Sequence, residues 1–214
     1  MRITSIIRTT LAALLLLLCS NSTYAAQADG LVVGENVLAT VLNTEIRVVD
    51  VMPSEEKRQN IKEQAKDNYA EMLEYVAHVN ASNKIFELVL EDYVKEKGIT
   101  LDQTLVNKFT DKFKSQVSSE TSSKSIEEIA VKQVMQFQAE KAMFEEFGGL
   151  VVFRQSNPQM PIDGYNKLLS RYRDAGKINI VDEDLREAFW DLFSPPYQYK
   201  IAPENVDFSK PWWL

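Results

Sequence analysis

The sequence predicts a mainly α-helical fold that carries a small β element, and three observations predict it. Apolar residues recur at helical spacing through most of the chain after Pro53. Capping signals open several of these stretches and glycines close them. β-branched runs are confined to short segments, chiefly Asn36 to Val49 near the N-terminus, with residues 150–155 as a further strand candidate.

Taken in order, Asn36 to Val49 reads NVLATVLNTEIRVV and is broken at Asn43-Thr44, the pattern of a short hairpin. Pro53-Ser54-Glu55-Glu56 opens a helix, with proline near the first turn and acids at the positive end of the dipole. Ile61, Ala65, Tyr69, Met72, Leu73 and Val76 keep its apolar spacing until the polar Asn80-Ala81-Ser82-Asn83 interrupts it. A second helix, Lys84 to Lys97, stops at Gly98. Thr100 with Gln103 reads as a capping box for a third, and Ser125 with Glu128 for a fourth that runs to Gly148-Gly149, across the serine-rich loop Ser118 to Lys124.

Beyond Gly149 the texture changes. Leu150 to Phe153 is a strand candidate that could pair with the N-terminal hairpin, and Asn157 to Pro161 reads as a turn. Tyr165, Leu168, Leu169 and Tyr172 mark a helix closed by Gly176. Ile178 to Val181 is extended, and Asp182 caps a last amphipathic helix carrying Leu185, Phe189, Trp190 and Phe193. The domain organisation expected is a signal peptide over 1–25, a polar lead over 26–35, one mainly helical domain over 36–193 and a proline-punctuated tail over 194–214.

The first residues read as an address. Arg2 and Arg8 precede an unbroken apolar run from Leu11 to Cys19, and Ala25 and Ala26 end the polar stretch that follows. Cleavage after Ala25 puts small residues at the −1 and −3 positions, whereas cleavage after Ala26 would put Tyr24 at −3. Nine consecutive apolar residues are too few for a retained span, which needs ~20. Leu18 stands where lipoprotein signals carry a small residue, so Cys19 reads as part of a cleaved export signal. The expected location is the bacterial periplasm, with no membrane span after cleavage.

Composition excludes much of chemistry. With 45% apolar and 26% charged residues the chain has an ordinary globular balance. Its net charge of −7 argues against nucleic acid as a partner, because phosphate binding needs a basic surface. Loss of the signal removes Cys19, the single cysteine, and leaves a core to stabilise the mature chain without disulfides. His78 is the single histidine, which excludes most zinc sites. A lone histidine more often caps or lines a surface than catalyses. Asp182-Glu183-Asp184 complements a helix dipole, and Glu127-Glu128 and Glu145-Glu146 read as solvated helix faces. No phosphate-loop, dinucleotide, nucleophile-elbow or zincin motif occurs. The expectation is a protein with no catalytic, cofactor-binding or metal-binding residue, and not an enzyme.

Three segments carry a resemblance. VLATVLNTEIRVVDV resembles the strand that opens the SurA-type N-terminal periplasmic chaperone domain, KIFELVLEDYVKEKGITLDQTLVNKF is similar to that family's helix, glycine stop and capped helix, and KINIVDEDLREAFWDLF resembles the segment that follows them. Thr44 stands where the family favours glycine, and Gly149 to Arg173 has no counterpart in its pattern. The resemblance spans about Asn36 to Phe193. It implies a multi-helix chaperone domain that binds other polypeptides, unfolded or of the envelope, with no cofactor. The family often adds a parvulin prolyl-isomerase domain; no segment of domain size remains here to form one, so prolyl-isomerase activity is not expected.

The C-terminal aromatics are the candidate binding surface. Phe189, Trp190 and Phe193 with Trp212 and Trp213 form either core packing with a tail docked on the body or a patch for apolar segments of other chains. The alternative to a general chaperone is a dedicated assembly or structural partner of one folded envelope protein, bound through this aromatic end.

Overall fold

A computed structural model describes residues 36–116 and 124–214. The segment expected to be a signal peptide, with its expected cleavage site at Ala25 and Ala26, the polar lead and nearly all of the serine-rich loop lie outside these residues. The fold is mainly helical with small antiparallel sheets. In chain order the strands β1 (Val37–Val41) and β2 (Thr44–Arg47) lead through a single helical turn, Val48–Val51, into α1 (Glu55–Ala65) and α2 (Tyr69–Glu96). Then come α3 (Gln103–Phe113), α4 (Ile126–Phe147), the strands β3 (Val152–Arg154) and β4 (Asn157–Met160), and α5 (Ile162–Asp174). Strand β5 (Ile178–Ile180) and α6 (Glu183–Asp191) precede the tail.

The described residues fall into two compact units, and the boundaries between them lie inside α2, inside α5 and between Ser194 and Pro195. A hairpin unit comprises residues 36–92 and Leu169–Ser194. Its sheet runs β2-β1-β5, all antiparallel. Ala39 faces Ile46 on one side and Ile180 on the other, so the centre strand is closed along both edges. Leu42 and Asn43 both take positive φ, 50° and 66°, as a two-residue hairpin loop requires. The turn therefore sits one residue earlier than the Asn43-Thr44 break read from the sequence.

Helix α2 packs this unit through Leu73, Ala77, Ala81, Ile85 and Val89, a buried stripe repeating every fourth residue. Helix α6 adds Leu185 and Phe189, and Phe86 meets the rings of Phe189 and Phe193 at 5.1 and 5.4 Å. The polar run Asn80 to Asn83, expected to interrupt the helix, lies within it. The reason is local. Asn80 donates its amide to the Val51 carbonyl at 2.7 Å, and Ala81 is small enough to be fully buried on the stripe. The break falls earlier, at Lys66, where φ is 48°.

A tail unit comprises Tyr93–Leu168 and Pro195–Leu214. Helices α3 and α4 enclose Val106, Phe109, Ala130 and Val134, and Trp213 completes that cluster. The cap of α3 is Asp102, which accepts from Thr104 and Leu105, rather than Thr100. Ser125 and Glu128 form the capping box of α4 as the spacing suggests. Gly149 has φ of 93°, and a Cβ there would come within 2.6 Å of Asp163, whose carboxylate accepts from the Leu150 amide.

The strand candidate at residues 150–155 does not join the N-terminal hairpin. It supplies β3, which pairs with β4, the segment read as a turn, and β5 takes its place beside β1. The other edge of β3 is occupied by the tail: Phe153 donates to the Tyr199 carbonyl at 2.7 Å and Ile201 to that of Val151 at 2.9 Å. A short edge strand thus gains partners on both sides.

The position of Asn80 makes a prediction of sign. Alanine is the better helix former, so Asn80→Ala would stabilise a helix that asparagine merely interrupts. Here it removes a bond to a partly buried carbonyl, and we expect a net loss of about 1 kcal/mol in urea unfolding. A gain in stability would contradict the assignment.

Candidate functional site

The five aromatics singled out by sequence lie in different units. In the hairpin unit Phe189 and Phe193 are core residues, while Trp190 is half-buried, edge-on to Phe189 at 5.2 Å and covered by the Arg173 guanidinium at 4.9 Å. In the tail unit Trp213 is 1% exposed. Its ring stands edge-on to Phe109 and Phe137 at 5.2 and 5.8 Å, and Lys112 donates to its carbonyl at 2.6 Å. Trp212 stays 47% exposed beside Phe113. Phe189, Phe193 and Trp213 are thus packed against their own units, and Trp212 is the large side chain of the five that faces solvent.

The tail reaches this position by a series of polar and apolar fastenings. After the strand-like pairing with β3, the side chain of Gln159 grips the backbone of Asp207 at both ends, donating to its carbonyl at 3.0 Å and accepting from its amide at 2.7 Å. Phe208 then packs on Phe144 at 4.8 Å.

The residue that organises the site is Glu140 on α4. It is 4% exposed and is the buried charged-type side chain among the described residues. Three donors converge on its Oε1: the amide of Gln136 one turn back at 2.9 Å, the amide of Asn157 on β4 at 2.6 Å and the hydroxyl of Tyr165 on α5 at 2.7 Å. The group therefore joins three elements through one oxygen. Burial pushes its pKa up to about 7 against the lowering effect of those bonds. The Tyr165 hydroxyl is raised well above its ordinary value by its own burial and then by the charge of Glu140. A cavity of about 20 Å³ opens beside the carboxyl, bordered by Gln133, Ser156, Gln159 and Lys210 as well as by its partners Gln136 and Asn157. Phe137, Phe208, Trp212 and Trp213 form its apolar walls.

A buried titratable group in a cavity with convergent polar side chains is the default form of a binding site. No family model, curated protein or solved structure matches the chain. The chemistry must therefore be read from the residues themselves.

Glu140 was not among the residues singled out from the sequence. The signal is present all the same, because Glu140 falls three residues after Phe137 and four before Phe144, on the apolar stripe of α4. The acids that were singled out behave as helix-end and surface groups. Asp182 caps α6 by accepting from Leu185 at 2.8 Å, and His78 approaches the same carboxylate at 3.4 Å. Glu146 accepts from Tyr93 at 2.9 Å and pairs with Lys97 at 3.1 Å. Among the described residues no group of three or more His, Cys, Asp and Glu side chains could hold a metal ion. No described helix is long and apolar enough to cross a membrane.

Two predictions follow from these positions. The folded chain holds the Glu140 proton to about pH 7, whereas an unfolded glutamate loses it near 4.5. The folded state binds more protons in that interval, so stability falls as pH rises from 4.5 to 7, by about 3 kcal/mol for this group. Glu140→Gln keeps the acceptor oxygen and removes the titration; it should flatten that slope in urea melts and leave the variant more stable than the parent at pH 8. An unchanged slope would show that Glu140 titrates normally. At the tail, Trp213→Ala should cost about 3–5 kcal/mol, and Trp212→Ala less than about 1 kcal/mol. Equal losses would mean that Trp213 is not the anchor.

Proposed function

We propose that this chain is an exported, non-enzymatic binding protein of chaperone type that holds apolar or unfolded polypeptide segments without prolyl-isomerase activity. The observation that carries the reading is the pairing of β1 with β5. Two of the segments that resemble the SurA-type domain, VLATVLNTEIRVVDV and KINIVDEDLREAFWDLF, meet there in register through Ala39 opposite Ile180 and Val41 opposite Ile178. A resemblance spread over separate stretches gains weight when those stretches form one sheet. Export rests on the charged, apolar and small-residue pattern that ends at Ala25 and Ala26.

Apolar surface for a client is available in the tail unit. Phe153 and Tyr199, neighbours across the β3 edge, are 49% and 66% exposed, and Trp212 and Leu214 are each 47% exposed. Exposed aromatics of this size are the usual material of a polypeptide-binding surface. The same chain end supports a second reading, a dedicated partner of one folded envelope protein that takes up Trp212 and Leu214.

The purified mature chain should suppress aggregation of several unrelated unfolded proteins at equimolar ratio without ATP. Failure on all of them would overturn the chaperone reading. Broad suppression that survives Trp212→Ala and removal of Leu214 would exclude the chain end as the binding surface. Acceleration of cis-to-trans conversion in a proline peptide would contradict the assignment as a non-enzyme.

A further inference from the structure

We propose that the cavity beside Glu140 is the site of one structural water molecule, which bridges the Trp213 indole N–H to the second oxygen of the Glu140 carboxyl. Such a bridge ties the tail to α4 through a polar contact. It is independent of any action on unfolded clients.

The indole sets the first requirement. Trp213 is 1% exposed, its Nε1 is buried, and no described residue accepts from it. The ring stands against Phe109 and Phe137 while Lys112 holds the carbonyl of the same residue, so the donor is fixed in place. Folded chains rarely leave a buried donor without an acceptor. An indole nitrogen donates only, so its partner must accept.

The carboxyl sets the second. Gln136, Asn157 and Tyr165 all donate to Oε1, and none of these bonds reaches Oε2. A proton carried by Glu140 therefore belongs on Oε2, because on Oε1 it would meet three other hydrogens. In that state Oε2–H is a donor, and once the proton leaves Oε2 is an acceptor. The bridging group must accept from the indole in both states. Toward Oε2 it must accept in one state and donate in the other.

Few groups do both. An ammonium ion offers the indole no lone pair, and an anion or a carbonyl offers the ionised carboxylate no proton. Water and hydroxyl groups remain, and size decides between them. A volume of about 20 Å³ admits one water-sized group and leaves no room for the carbon that a hydroxyl brings. The rest of the lining is mixed, as a water making about three bonds requires. The Gln136 and Asn157 amides each carry a second N–H and an oxygen, and the Asn157 oxygen already accepts from the Gln159 amide at 3.4 Å.

The bridge makes the indole a reporter of the carboxyl. Tyr165 on α5 faces Glu140 with its hydroxyl, Arg154 on β3 acts on Tyr165, and Lys210 of the tail stands in the lining. Tyr165 is raised well above its ordinary value, which leaves Glu140 as the carboxyl that changes charge at the cavity near pH 7. On ionisation the water turns to donate to Oε2. A water that donates to a charge accepts more strongly, so its bond from the indole tightens.

The test is NMR of the purified protein with ¹⁵N-labelled indoles. The Trp213 signal is assigned by its loss in Trp213→Phe or, if that variant does not fold, by elimination with Trp190→Phe and Trp212→Phe. Its indole proton should show cross-relaxation with the water resonance of the sign that a long-lived bound water gives. That contact should persist in Glu140→Gln, whose amide also offers an oxygen and an N–H, which separates a true water from transfer relayed by an exchanging carboxyl proton. The indole proton should also move downfield as Glu140 ionises, with a midpoint near pH 7, and this step should be lost in Glu140→Gln. A crystal structure should place one ordered water within hydrogen-bond distance of both Trp213 Nε1 and Glu140 Oε2. Absence of a long-lived water contact at the indole, its loss in Glu140→Gln, an indole shift that stays flat through the Glu140 titration, or an empty cavity in the crystal would each overturn the proposal.

Discussion

A carboxyl group taken out of water constrains the tail unit more than any other contact. Burying an ionised carboxylate costs several kcal/mol unless it is bonded or neutralised. The chain does both for Glu140. Donors from α4, β4 and α5 satisfy one oxygen, and the raised pKa keeps the group largely protonated below about pH 7. Those bonds fix β4 against α4, and β4 carries the Gln159 that fastens Asp207. The order of the tail is in this sense downstream of one side chain. Trp213 completes the arrangement from the apolar side, filling the α3–α4 cluster and walling the same cavity.

Among the described residues the hairpin unit buries no charged side chain. Its helix α2 contributes an every-fourth-residue stripe of Leu, Ala, Ile and Val, and its sheet closes both edges of β1. Apolar burial at about 25 cal/mol per Å² is sufficient to organise such a unit. Helix α1, which buries none of its residues, is held by local pairs such as Glu55 with Arg58 and with Gln59. The two units thus place different demands on sequence. One tolerates conservative apolar exchange, and the other requires particular polar atoms at 136, 140, 157 and 165.

That difference explains what could be read from the chain alone. Helix existence, the caps at Ser125 and Asp182 and the glycine stops at 98, 148 and 176 are local phenomena, set by residues within one turn of each other, and the sequence carried them openly. Pairing was less legible. Nothing local tells Leu150 to Phe153 to choose Asn157 to Met160 and the tail over the N-terminal hairpin, because register is settled by partners far away in sequence. The continuity of α2 through Asn80 escaped for the same reason, since the Val51 carbonyl that satisfies Asn80 lies 29 residues earlier. The aromatic end was noticed as a group, yet its split between two units, with Phe189 and Phe193 in one core and Trp213 in the other, is a tertiary fact. Glu140 was hidden by its type. A glutamate on a helix is ordinarily a solvated one, and only its place on the apolar stripe marks it as an exception.

The central claim is that Glu140 is a buried, hydrogen-bonded carboxyl at the heart of the tail unit that holds its proton to about pH 7. Its side-chain carboxyl resonance, followed by ¹³C NMR in the purified protein and assigned by its loss in Glu140→Gln, reports the protonation state directly. The account predicts a single titration with its midpoint near pH 7. A midpoint near 4.5 would contradict it, because the carboxyl would then be ionised at neutral pH and its three donors alone, without protonation, would offset its burial.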